Sequence, residues 1–123
     1  MEQRTIKFKA KRLDNGEWVK GDLNHSKDSV YVDMIRVDPA TVCQYTGLKD
    51  KDGKEIWEHD YVVDYNQRGE VIFADGEFVM KIKGGNIPLE AFVVTIKDKA
   101  LGTYRGCQVI KQGSIFDRKE GEI

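Results

Sequence analysis

Cysteine, proline and histidine are scarce in this sequence, with two of each among 123 residues. Cys43 and Cys107 stand 64 positions apart and form no Cys-x-x-Cys pair. Neither a disulfide framework nor a redox motif is therefore expected. Structural zinc needs four ligands, usually as closely spaced pairs. His25, His59, Cys43 and Cys107 are each isolated, so no metal or other cofactor is expected. Net charge is lacking too: 20 basic against 21 acidic side chains leave −1. Residues 1–61 carry 11 basic and 12 acidic side chains, and residues 62–123 carry 9 of each. A dedicated duplex-DNA binder shows a basic excess, because phosphate neutralisation drives its affinity. No apolar run approaches the ~20 residues that span a bilayer. Met1 is followed by the polar Glu2-Gln3-Arg4, unlike a secretory leader. The expectation is a cytoplasmic protein with reduced thiols and no membrane partner.

Helical periodicity is also missing. No stretch of a dozen residues keeps an apolar i, i+3, i+4, i+7 stripe free of glycine and β-branched runs. The dominant period is two. Ile6, Phe8 and Ala10 alternate with Lys7, Lys9 and Lys11, giving one strand an apolar and a basic face. Asn15-Gly16 predicts a two-residue type I′ turn into a return strand from Trp18. Further strands are predicted at Ser29–Val32, Met34–Val37, Thr41–Gly47, Glu55–Trp57 and Tyr61–Tyr65. Gln67-Arg68-Gly69 reads as the next turn. Glu70–Phe73 and Phe78–Ile82 follow, joined at Asp75-Gly76. Gly84-Gly85-Asn86 reads as a loop and Ile87–Phe92 as a short helical turn. Val93–Ile96, Cys107–Ile110 and Gly113–Phe116 close the series, and 117–123 reads as a frayed tail. Twelve glycines against two prolines fit this turn-rich plan. The fold class is all-β with little or no helix, a barrel or sandwich of short antiparallel strands.

Chemistry-bearing patterns are few. Asp50-x-Asp52-Gly53 has the outline of a calcium loop, which needs glycine sixth and a bidentate glutamate twelfth. With Gly53 sixth, the twelfth residue is His59; with Asp50 first, the sixth is Glu55. Neither register works, and the segment reads as a solvated charged turn. There is no Gly-x-Ser-x-Gly, phosphate loop or dinucleotide fingerprint. An enzyme would have to assemble from Cys43, Cys107, His59 or Glu58, which the spacing does not bring together. The basic N-terminal strand is the nucleic-acid candidate: Arg4, Lys7, Lys9, Lys11 and Arg12, with Trp18 as a stacking plane. The competing reading is a lysine-guarded strand. Tyr45, Trp57 and Tyr61 are candidates for a protein interface, where such rings are enriched, or for core packing.

One longer stretch is more specific. Thr41-Val42-Cys43-Gln44-Tyr45-Thr46-Gly47-Leu48-Lys49-Asp50-Lys51-Asp52-Gly53-Lys54-Glu55-Ile56-Trp57-Glu58-His59-Asp60-Tyr61-Val62 closely resembles the signature of the YopX family, encoded by phages and prophages. Ile6–Ala10, Trp18–Leu23, Gly69–Phe73 and Gly113–Asp117 also resemble its opening, later and closing pieces. Cys43 and His59 stand where the family often has glycine, a residue freer to take positive φ. The resemblance implies one YopX-like domain of two small barrel-like lobes, the C-terminal one Src-homology-3-like, with sub-lobes at 1–57 and 58–116. It implies a bacterial host cell and no established catalytic residues. The leading expectation is a non-enzymatic binding module for a protein partner or for itself. The alternative is single-stranded nucleic-acid binding through the basic strand.

Overall fold

The period-two patterning becomes strand along most of the chain. The computed structural model describes residues 6–64 and 67–117. It is all-β, and its only helical pieces among the described residues are 3-10 turns at Pro39–Thr41, Leu89–Phe92 and Ile115–Asp117. The chain divides into two compact units, Met1–Tyr45 and Thr46–Ile123.

The first unit holds β1 (Phe8–Lys11), β2 (Trp18–Gly21), β3 (Leu23–His25), β4 (Val30–Val32), β5 (Ile35–Val37) and the start of β6 (Cys43–Lys49). β1 lies between β2 and β6, antiparallel to both, and β3, β4 and β5 form a separate antiparallel sheet. Alternation along β1 sends Ala10 into a core with Val32 and Val37, flanked by Val19, Leu23, Val30 and Val42.

The second unit continues with β7 (Glu55–Trp57), β8 (Asp60–Asp64), β9 (Gln67–Ala74), β10 (Glu77–Ile82), β11 (Gly85–Pro88), β12 (Val93–Asp98), β13 (Gly102–Cys107) and β14 (Ile110–Ser114). Five strands form a sheet in the order β11-β10-β9-β8-β14. β12 and β13 make a hairpin, and Gly106 of β13 meets Lys49 of β6 in parallel. Ile56, Val62, Val71, Met80, Leu89 and Val109 are the fully buried apolar residues at the centre of this core, and Cys107 joins them.

The division between these units falls between Tyr45 and Thr46. The reason is Ile56, which is fully buried in the second core and carries β7 with it. Local readings change: Cys107 ends β13 and Ile110 starts β14, so Cys107–Ile110 is not one strand, and Ile115 and Phe116 lie in a 3-10 turn. Leu13–Gly16 is a four-residue loop: Gly16 N–H donates to Arg12 O at 3.0 Å, and Arg12 N–H to Glu17 O at 2.8 Å. Only Gly16 takes positive φ there, at 73°, while Asn15 Oδ1 accepts from Glu17 N–H at 2.9 Å. Gln67, Arg68 and Gly69 do not turn the chain, because they already pair with Asp64, Val63 and Val62. Gly85 and Asn86 belong to β11, paired with Ile82 and Lys81. By contrast, Asp75-Gly76 is the expected type I′ turn, with φ of 52° and 83° between Ala74 and Glu77. The tail from 118 onward and Tyr65 lie outside the described residues.

Candidate functional site

The basic strand comes first. Lys9 and Lys11 do share the face of β1 opposite Ala10, as period two requires, and Lys7 lies one residue before the strand. The register places Lys11 beside Trp18 and Lys9 beside Lys20 on one side, and Lys9 beside Cys43 on the other. Each ammonium rests on an aromatic face. Lys9 Nζ is 4.4 Å and Lys11 Nζ 5.3 Å from the centre of the Trp18 ring, and Lys7 Nζ is 4.8 Å from that of Tyr45. Lys9 is only 7% exposed. The face is therefore a packed cation–π layer in which the Trp18 ring is already engaged. Arg12 does not join it. It forms a two-pronged pair with Asp14, at 2.9 and 2.7 Å. That hydrogen bonding raises the guanidinium pKa and holds the Asp14 carboxyl below the usual carboxylate range. Arg4 lies outside the described residues.

The rings singled out as an interface fare differently. Tyr45 is 6% and Trp57 1% exposed, so both are packing residues, and Tyr61 is half-buried. An anchor for a partner has to be reachable from solvent, and these two are not.

The signature stretch builds something the sequence reading missed. Asp50 is not in a solvated turn but fully buried. Its Oδ1 accepts from Asp52 N–H and Lys54 N–H, both at 2.9 Å, and its Oδ2 accepts from Lys111 N–H at 2.9 Å. Its carbonyl accepts from the Tyr104 hydroxyl at 2.9 Å. One carboxylate thus closes the 50–54 turn and fastens β14 to it. Asp60 is also fully buried and its Oδ2 accepts from Trp57 N–H at 2.8 Å. Lys111 connects the two carboxylates. Its backbone serves Asp50, and its ammonium lies 3.3 Å from Asp60 Oδ2 and 3.0 Å from Glu55 O. Charge-assisted bonds of this kind offset part of the cost of burying a carboxylate. The available signal was the spacing Asp-x-Asp-Gly-Lys, an aspartate placed to cap its own turn.

His59 takes φ of 70°, so the left-handed backbone that glycine would favour is retained with a histidine. Its N–H donates to Val71 O at 2.6 Å, and its carbonyl accepts from Ile115 N–H at 2.9 Å. Nδ1 lies 2.7 Å from Glu70 Oε2, Nε2 lies 4.0 Å from Glu58 Oε2, and Phe116 meets the ring edge-on at 5.4 Å. Cys43 needs no such conformation, since it sits in β6 opposite Lys9.

Both thiols are fully buried. Cys43 Sγ donates to Thr41 O at 3.2 Å. Burial, with Glu90 nearby, pushes the Cys107 thiol up to about 12. Thiolate chemistry near neutral pH is closed to it. Among the described residues no three His, Cys, Asp or Glu side chains gather as metal ligands. No helix among them is long and apolar enough to cross a membrane.

A search of curated proteins finds no match to the chain. The YopX protein family profile matches residues 1–117, which takes in the signature stretch, the Asp50–Lys111–Asp60 network and the fourteen strands of the described residues. The chain belongs to the YopX family.

Proposed function

We propose that this chain is a non-enzymatic accessory protein of a phage or prophage. It works in the cytoplasm of the bacterial host by binding another protein or a second copy of itself. The observation that carries this reading is the use made of the signature residues. Asp50, which opens one turn, and Asp60, which follows the other, are fully buried and hold backbone N–H groups and Lys111. They are spent on a rigid scaffold, the kind of frame on which a binding surface is displayed. Membership of the YopX family agrees with the phage setting. Affinity capture from lysate of the lysogenic host, run beside light scattering of the purified chain, tests it. A strictly monomeric chain that retains no host or phage protein would count against it.

A second reading rests on the lysine row at β1, where Lys9 and Lys11 share one face with Trp18 and Lys7 precedes them. It expects salt-sensitive retardation of single-stranded oligonucleotides, weakened by Lys7→Glu with Lys11→Glu. Absence of any mobility shift at low salt ends that reading.

A further inference from the structure

Open sheet edges are templates for another strand, and folded chains blunt them with short length, charged side chains, proline or bulges. Most edges here are blunted in these ways. β3 and β5 have three residues each, β2 has four with the exposed Lys20 among them, and β11 ends at Pro88. β14 shifts register between Lys111 and Gly113. β12 is different. It runs six residues, Val93–Asp98, in unbroken register with β13, has no proline or bulge, and carries its two charges, Lys97 and Asp98, only at its C-terminal end. It ends its sheet, so among the described residues no strand lies along its outer side.

Which backbone groups point outward follows from one bond. Gln108 N–H donates to Phe92 O at 2.8 Å, one step beyond the Val93–Cys107 pair. Bonded and non-bonded pairs alternate along an antiparallel ladder. Phe92, Val94 and Ile96 therefore bond towards β13, while Val93, Thr95 and Lys97 turn their N–H and C=O to the open side. Thr95 and Lys97 are exposed, and Val94 is 37% exposed.

We infer that β12 pairs with β12 of a second copy of this chain, antiparallel, with Thr95 on the two-fold axis. This rests on the binding-module reading and names self-association as one of its forms. An axis normal to the sheet keeps each side chain on its own face, so only residues of equal parity face each other. Centring on Thr95 sets Thr95 against Thr95 of the second copy, Val94 against Ile96, and Val93 against Lys97. Threonine pairs and β-branched pairs are favourable cross-strand neighbours. No like charges oppose each other, because each Lys97 meets a valine. The outward groups of Val93, Thr95 and Lys97 are the ones this register bonds. A single strand pair buries well under ~1,200 Å², so the dimer is weak and concentration-dependent.

Sedimentation of the full chain over an about hundredfold concentration range reads this equilibrium by mass action. The wild type is expected to pass from monomer to dimer and no further. Thr95→Pro removes an outward N–H and spares the bonds to β13, and Thr95→Lys sets two ammoniums face to face. Each should raise the dimer dissociation constant about tenfold or more, with far-UV circular dichroism unchanged. Mixing Thr95→Lys with Thr95→Glu should restore a mixed dimer. A wild type that stays monomeric at the highest concentration overturns the inference, as does a dimer indifferent to Thr95→Lys. Neither result touches capture of a host or phage protein, so failure here is separable from failure of the binding-module reading.

Discussion

Asp50 shows how much one side chain can carry. Its two oxygens hold three backbone N–H groups drawn from the 50–54 turn and from β14. Asparagine at this position has a single accepting oxygen. Either the turn or the Lys111 N–H would then face an amide donor inside a buried site. Asp50→Asn is expected to cost about 1–3 kcal/mol, and Asp50→Ala, which orphans all three donors, about 3–5 kcal/mol. Urea unfolding followed by tryptophan fluorescence measures both. Equal midpoints for Asp50→Ala and wild type would show that the network is dispensable. His59 makes a related point with the opposite sign. A non-glycine residue in the left-handed region costs of order 1 kcal/mol. Here the Glu70 carboxylate and the Phe116 ring hold its side chain in return. The sequence showed the departure at His59 but not its partners, since Glu70 and Phe116 become neighbours only through the fold.

Elements were legible where the local rule and the tertiary demand agree. Asp75-Gly76 meets both φ requirements of its turn, so β9 and β10 were readable on sight. Asp33-Met34 makes the same kind of turn, with φ of 52° and 66° between the paired Val32 and Ile35, yet neither residue announces it. Asn15-Gly16 announces a two-residue turn and does not make one. Arg12 bridges to Val37 and Leu13 N–H donates to Arg36 O at 3.2 Å, so the loop is widened by a neighbour remote in sequence. Gly69 is the sharpest case. It looked like a turn glycine but lies inside β9, where an added Cβ would run into the Lys81 carbonyl and come within 2.7 Å of Met80 Cγ. Gly69→Ala should therefore spread β9 from β10 and destabilise the chain by about 2 kcal/mol or more, as overpacking against backbone does. Amide hydrogen exchange should show the loss of protection first in those two strands. A neutral Gly69→Ala would refute the close approach.

Across the whole molecule, acid and base nearly cancel, so net charge gives stability little pH dependence near neutrality. Buried titratable groups are left to set it, and on the alkaline side the clearest is Cys107. Burial raises its folded pKa from 9.0 to about 12. Below pH ~9 the thiol is neutral in folded and unfolded chains alike, and its contribution is fully present. Between about 9 and 12 the unfolded chain releases this proton while the folded chain keeps it, so stability falls as pH rises. The slope approaches ~1.4 kcal/mol per pH unit, and the loss from this group by pH 10 is of order 1 kcal/mol. Tyr104, raised mainly by burial, adds to the same trend at higher pH. Cys107→Ala deletes the thiol contribution and carries its own cavity cost at every pH. The informative quantity is therefore the change in the wild-type-minus-variant difference between pH 8 and pH 10, measured by urea unfolding under reductant. That difference should shrink by about 1 kcal/mol. A difference that stays constant would mean that Cys107 ionises as readily in the folded chain as in the unfolded one, against its full burial in the second core.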